Sequence, residues 1–339
     1  MRILGYAREG LANMSGTSYY RTYLPMREIH KHDNGINAQC IGADALKICP
    51  EDVLEGRDIY YMNRLYTLDG LTQFLDRIHD MGAVVVFDAD DDLTEHYRLV
   101  SGRGREFKEV LSMVDYVTCS TEPLATLFSE YTKVPATALR NFVDSEWMTD
   151  QAGKAKRMVK GITMGFSGSP THYIDWYIPS VPFQWICQKY PVTGVLHGEV
   201  PRYLKYAQED ILEFSGVPFS MYPTILSQFD ILLCAVNTSD QFNDGKSWVK
   251  ALEAMAVGAV PICSRFTPYM QLAAMGAPVV IVEEESRDGW FDAMDSLLAD
   301  PERLSALKAA GPGWVRANAD MVHGGYLEWE AYFRSIHGS

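Results

Sequence analysis

Unbroken apolar runs of about four to eight residues recur along this chain, separated by stretches with helical periodicity. A strand that reads as continuously apolar rather than alternating is one buried on both faces, as in parallel sheets covered by helices. A first series comprises Ile3–Ala7, Ile59–Met62, Val84–Asp88, Tyr116–Cys119 and Thr137–Leu139. A second comprises Thr163–Ser167, Thr193–Leu196, Ile231–Val236, Val260–Cys263 and Val279–Val282. The gaps read as helices over Tyr19–Lys31, Leu71–Met81, Arg105–Met113, Glu122–Tyr131, Ile174–Lys189, Lys246–Val257 and Trp290–Ala299. This order implies βαβ units, and two series imply two Rossmann-like, doubly wound parallel-sheet domains.

With 339 residues, 47% of them hydrophobic, the chain can fill two cores. The expected divisions are 1–155, 156–315 and a C-terminal helix within 316–339. The sequence turns polar and basic near Asp150–Lys160 before a new strand begins. The tail from Trp314 to Ile336 reads as helical, with Tyr326, Trp329 and Phe333 at packing spacing.

The net charge of −14 disfavours generic binding to nucleic acid or anionic membranes. Two basic clusters stand against it: Arg98, Arg103, Arg105 and Lys108, then Lys154, Lys156, Arg157 and Lys160. The simplest account of both is a solvated loop and a linker. No stretch of about 18 apolar residues is present, and the N-terminus lacks signal-peptide character. The six cysteines (Cys40, Cys49, Cys119, Cys187, Cys234, Cys263) show no metal-ligand spacing. Together these features suggest reduced thiols and a cytoplasmic protein.

The most informative segment runs from Asn243 to Pro261, after an apolar strand and a polar loop. Asn243, Asp244 and Gly245 form a turn. A helix expected to start near Lys246 or Ser247 offers unpaired N–H groups and the positive end of its dipole to an anion. Lys246, Lys250 and Glu253, at i, i+4 and i+7, would share one face. A cation near phosphates and a carboxylate two turns later suit a nucleoside diphosphate with its ribose diol. Gly258 then ends the helix. An amphipathic helix with exposed lysines is the competing account.

This segment resembles the donor motif of GT-B glycosyltransferases of the retaining, family-four-like kind: Asn, two residues, Lys-Ser, then Lys, two residues, Glu, and Ala-x-Gly-x-x-Pro. The resemblance implies that Glu253 holds the donor ribose and that Asn243, Asp244, Gly245, Lys246, Ser247 and Lys250 surround the pyrophosphate. Relatives often carry a second Glu where Gly245 stands, so Asp244 or Asn243 would have to substitute in contacting the sugar. Ser15-Gly-Thr-Ser-Tyr-Tyr-Arg21 is similar to the loop after the first strand of such enzymes. Gly16, Thr17, Tyr20 and Arg21 become candidate acceptor residues, with a surface arginine as the alternative for Arg21. Phe166-Ser-Gly-Ser-Pro-Thr-His172 resembles the first loop of the C-terminal domain. Gly168 and Ser169 would approach the pyrophosphate and His172 the reaction, with Asp175 a helix cap or a partner of His172. The Arg and Lys that many relatives carry after this strand are missing, which directs attention to Lys246 and His172.

Asp88-Ala-Asp-Asp-Asp92 ends the Val84 strand, where α/β sites form. Three readings stay open. Asp88 and Asp90 match the Asp-x-Asp metal motif of the GT-A fold; the cluster binds acceptor hydroxyls or a proton, with Asp90 catalytic and Asp88, Asp91 and Asp92 in contact with the acceptor; or it caps a helix. Glu95 and His96 add titratable groups beside it. Ser120-Thr-Glu122 reads as a cap, and Arg140-Asn141 with Asp144 as a structural turn.

The resemblance therefore implies α/β architecture of the GT-B kind, two Rossmann-like domains facing a central cleft, with the last helix crossing back to the N-terminal domain. It implies transfer of a hexosyl or pentosyl group from a nucleotide sugar, such as a UDP-sugar, to an acceptor hydroxyl. Retention is expected, with no obligatory cofactor or metal. The acceptor classes are a glycan, a protein, a small molecule or, less in keeping with the charge, a modified DNA base. The rivals are a metal-dependent GT-A-type transferase and a non-catalytic GT-B-like binding protein. A dinucleotide-dependent dehydrogenase is disfavoured, because no Gly-x-Gly-x-x-Gly follows the first strand.

Overall fold

The computed structural model describes residues 1–7, 9–10, 13–32, 34–42, 56–64, 71–95, 97–98, 101–169, 172–198 and 211–338. Cys49 and His96 lie outside the described residues, as do residues 170–171 of the Phe166–His172 loop. The chain divides into two compact units. One is Met1–Phe142 with Gln241–Ser247 and Met321–Ser339; the other is Val143–Asp240 with Trp248–Asp320.

The first unit holds β1 (Arg2–Ala7), β2 (Asn37–Gly42), β3 (Ile59–Asn63), β4 (Val84–Ala89), β5 (Tyr116–Cys119) and β6 (Ala136–Ala138). They form one parallel sheet in the order β2-β1-β3-β4-β5-β6. β3 is buried along its whole length, as its unbroken apolar sequence requires. Beneath β4, Phe87 meets Phe107 of the Gly104–Leu111 helix and Phe128 of the Glu122–Thr132 helix. The Tyr326–Ile336 helix packs on this unit: Trp329 and Phe333 lie edge-on to Tyr61, and Tyr326 stacks on His32 at 3.8 Å. The helical spacing of these aromatics is thus a packing stripe.

The second unit holds β7 (Ile162–Gly168), β8 (Val192–Gly198), β9 (Ile211–Phe214), β10 (Ile231–Cys234), β11 (Val260–Cys263) and β12 (Val280–Ile281), parallel in the order β12-β11-β10-β7-β8-β9. Glycine brings β7 and β8 together. A Cβ on Gly165 would stand 1.8 Å from the Val195 carbonyl oxygen, and one on Gly198 1.9 Å from that of Gly168. The fold is α/β with two sheets of this parallel kind.

Several elements differ from expectation. β2 and β9 were not expected: β2 exposes Asn37 and Gln39, and β9 exposes Glu213 and has no fully buried residue, so neither presents a continuous apolar run. Ser145–Lys154, within the expected first domain and overlapping the expected linker, is a helix of the second unit, capped by Asp144, which accepts from Trp147 N–H at 2.9 Å. The tail is two helices, not one. Pro301–Asn318 ends before a bridge between Val143 and Asp320, where the Asp320 carboxylate accepts from Ser145 N–H. The helix expected from Lys246 begins at Val249, so Lys246 precedes it and does not share its face with Lys250 and Glu253. Among the described residues no helix is long and apolar enough to cross a membrane, and the five described cysteines are free.

Candidate functional site

In the second unit the carboxyl ends of β7 and β8 carry Ser167, Gly168 and His197. Ser167 Oγ lies 2.9 Å from His197 Nδ1 and 3.2 Å from the Tyr222 hydroxyl. Tyr222 in turn donates to Glu253 Oε2 at 3.5 Å. Glu253, buried on the Val249–Ala256 helix, is therefore tied to both strand ends through one phenol. Burial, reinforced by the Glu253 charge, holds the Tyr222 phenol protonated well above its ordinary range. Burial likewise lowers the His197 pKa to about 4, and its Nε2 is buried with no partner among the described residues. The neutral His197 and Tyr222 were not singled out by the sequence. His197 stands inside an apolar strand, and Tyr222 lies outside every motif, well before Asn243.

His172 Nδ1 pairs with Asp175 Oδ2 at 2.7 Å, and Asp175 Oδ1 accepts from Asn237 N–H at 2.7 Å. Asp175 thus orients a histidine and a loop. It does not cap the following helix, which starts at Tyr177 with no side-chain cap. Gly168 permits this arrangement: a Cβ there would sit 2.7 Å from His172 Cδ2 and 3.2 Å from Trp176. Ser169 is exposed beside it. The Val249–Ala256 helix has no side-chain cap at Trp248, leaving its first N–H groups to other partners. Lys250 stands in its first turn.

Asn243, Asp244, Gly245, Lys246 and Ser247 belong to the first unit. Gln241–Gly245 is a 3₁₀ turn, Asn243 is buried, and the Gly245 carbonyl accepts from Thr121 Oγ1 at 3.0 Å. A Cβ on Gly245 would come within 2.9 Å of Leu124 Cδ1, which gives a packing reason for glycine where relatives carry Glu. Ser247 Oγ accepts from Asn141 Nδ2 at 2.7 Å. The Lys246 ammonium lies 5.7 Å from the Phe242 ring centre.

At the end of β4 the acidic residues separate into three environments. Asp88 is fully buried and accepts from Arg21, Asn63 Nδ2 at 2.7 Å and Thr118 Oγ1 at 2.7 Å. Arg21, likewise fully buried, also donates to Leu139 O and to Asn141 Oδ1 and lies 4.7 Å over Trp329. Arg21 is thus no surface arginine; its π-helical turn Tyr19–Tyr23 aims it into the core, and Tyr20 is buried beside it. With their polar atoms spent on one another, neither Arg21 nor Asp88 is exposed to an acceptor. Asp90 accepts from Arg64 Nε at 2.5 Å and from Thr17 Oγ1 at 2.8 Å, and Arg64 also pairs with Asp91. Burial and the neighbouring Asp90 charge push the Asp91 pKa up to about 6, against the pull of Arg64 and Lys246. Asp92 accepts from the N–H and hydroxyl of Thr94, capping the turn that follows. Gly16 lies in the short helical turn capped by Ser15. Arg64 was missed by the sequence reading, since it follows an apolar strand with no motif around it. Among the described residues no cluster of three or more His, Cys, Asp or Glu side chains is arranged to hold a metal ion.

Two α/β units with parallel six-stranded sheets, and the returning C-terminal helix, define the GT-B fold. This removes the GT-A reading of the Asp88–Asp90 motif. Solved structures bear out the assignment over the whole length. HepE from Anabaena, solved with UDP and glucose, has a TM-score of 0.70 at 11% identity, covering 99% of this chain and 100% of that one. A glycosyltransferase from Rickettsia africae has a TM-score of 0.68 at 10% identity, covering 100% and 99%. Sucrose-phosphate synthase from Thermosynechococcus elongatus has a TM-score of 0.65 at 12% identity, covering 99% of each chain. No protein-family model and no curated protein matches the sequence.

Proposed function

We propose that the protein is a glycosyltransferase that moves a hexosyl or pentosyl group from a nucleoside-diphosphate sugar, UDP-linked as in the ligand of HepE, to an acceptor hydroxyl. The observation that carries this is the buried Glu253, held by Tyr222 and the Ser167–His197 pair at the carboxyl ends of β7 and β8. That is where parallel α/β sheets take ligands, and a buried carboxylate fits a ribose diol. The uncapped N-terminus of the Val249–Ala256 helix and the preceding Lys246 suit the diphosphate.

In the reaction the bond from the anomeric carbon to the diphosphate oxygen breaks, and the acceptor oxygen bonds to that carbon. The acceptor proton passes to the departing diphosphate or to solvent. Lys246 and the helix N–H groups offset the charge that develops on the leaving oxygens, without an obligatory metal. His172, oriented by Asp175, is the candidate polar contact near the sugar. Retention follows from the likeness of the Asn243–Pro261 motif. Gly16, Thr17, Asp90 and Asp91 serve the acceptor, while Arg21 and Asp88 hold the scaffold beneath them. The deciding measurement is a thermal-shift panel of nucleotide sugars. A ligand at 100 times its Kd adds about 2.7 kcal/mol of stability, and a flat response to every nucleotide and nucleotide sugar overturns the reading.

A further inference from the structure

The first unit contains a cavity of about 940 Å³ whose wall carries Arg98, Arg105 and Lys108 together with Asp92, Asp244 and Tyr131. Its volume is that of a small-molecule site. The cavity is built, not incidental. The Gln241–Gly245 turn is fixed over it by Thr121 and by the close fit of Gly245 on Leu124.

Its charge runs against that of the chain, which has 44 acidic and 30 basic side chains. Some cations of the chain find carboxylates, Arg64 and Arg140 among them. Arg103 does, pairing with Glu106, but Arg105 and Lys108 have no carboxylate partner among the described residues. They lie three apart on one helix face, and among the described residues Lys108 rests only on the Tyr131 ring at 5.5 Å. The helix that bears them has no side-chain cap. The acids of the same wall sit differently: Asp92 is occupied by Thr94, and Asp244 lies on the turn above. The lining therefore offers cations for an anionic group and carboxylates for hydroxyls.

We propose that this cavity binds a phosphate group carried by the acceptor, with Arg105 and Lys108 as its ligands. A guanidinium and an ammonium converging on one cavity match the charge of phosphate oxygens, and Arg presents a fork to two of them. The acceptor hydroxyls would then lie toward Asp92 and the end of β4. Calling the ligand an acceptor rests on the proposed transferase activity; the phosphate site itself does not.

The test is calorimetric titration of the full chain with inorganic phosphate, hexose 6-phosphates, the unphosphorylated hexoses and a 12-residue oligothymidylate, alongside UDP. Wild type is compared with Arg105→Ala/Lys108→Ala and with Lys160→Ala, an exposed control. The double variant should bind the phosphate-bearing probes at least tenfold more weakly, with UDP affinity and thermal stability unchanged and Lys160→Ala like wild type. Tighter binding of hexose phosphates identifies a phosphomonoester as the source, and tighter binding of the oligonucleotide a phosphodiester; both support the site. The proposal is overturned if no phosphate-bearing probe binds, or if binding is indifferent to the double substitution. Loss of UDP binding with phosphate binding intact would remove the donor assignment and leave this one standing.

Discussion

Arg21 grips Asp88 through two nitrogens, Nη2 to Oδ1 at 2.6 Å and Nε to Oδ2 at 3.1 Å, and neither side chain reaches the surface. Two further donors, Asn63 and Thr118, complete the carboxylate. Removing one partner of such a pair leaves an uncompensated buried charge, which costs about 3–5 kcal/mol. Arg21→Ala should therefore lower the urea midpoint of the first unit by a corresponding amount. The double variant Arg21→Met/Asp88→Leu should recover much of that loss, because it buries no charge. Equal stability of Arg21→Ala and wild type would show that the pair does not hold this unit together.

Tyr222 links Glu253 to Ser167, so its hydroxyl positions the carboxylate and need not touch the donor. Tyr222→Phe should weaken UDP binding by roughly fivefold, the worth of one net hydrogen bond of about 1 kcal/mol. Glu253→Gln should weaken it by at least about tenfold, since the carboxylate itself would be lost to the ribose. Titration calorimetry checks both. A Tyr222→Phe protein that binds UDP like wild type while Glu253→Gln does not would exclude the positioning role and keep the carboxylate.

Lys246 acts on the transition state if it meets the departing diphosphate. Lys246→Ala should then lower kcat by about a hundredfold with a smaller change in donor KM. A rise in KM at constant kcat would place Lys246 in ground-state binding instead.

How much of this was legible in the sequence differs between strands and side chains. The central strands announced themselves because burial on both faces demands unbroken apolar residues; Tyr116–Cys119 and Val260–Cys263 match to the residue. β2 and β9 did not, because Asn37 and Gln39 interrupt the one and Glu213 the other, and neither is buried throughout. The residues of Asn243–Pro261 were legible as a motif, but not the start of its helix. The chain makes a 3₁₀ turn through Gln241–Gly245 and enters the α-helix only at Val249, so a periodic face drawn from Lys246 begins too early. At the end of β4 the clustering of carboxylates was visible. Their pairing with Arg21 and Arg64 was not, because those partners come from segments up to 67 residues away, whereas Thr94 is local to Asp92. His197 and Tyr222 lay hidden for the same reason: only the sheet order brings β7, β8 and the Tyr222–Leu226 helix together.

His197 makes the second unit sensitive to acid in a defined window. Burial lowers its pKa to about 4 from the ordinary 6.5, and the ring offers Nδ1 to Ser167 while Nε2 has no partner among the described residues. The unfolded chain takes up this proton near pH 6.5, whereas the folded protein refuses it until about pH 4. Stability from the neutral ring is therefore complete above pH 6.5, declines as pH falls toward 4 and levels off below that. The slope is at most about 1.4 kcal/mol per pH unit. His197→Asn keeps a polar atom near Nδ1 and removes the titration. The stability gap between wild type and this variant should shrink by about 2 kcal/mol between pH 7.5 and pH 4.5, read from urea midpoints across that range. A gap that stays constant would mean that His197 titrates alike in the folded and unfolded chains, and that it is not held neutral beside Ser167.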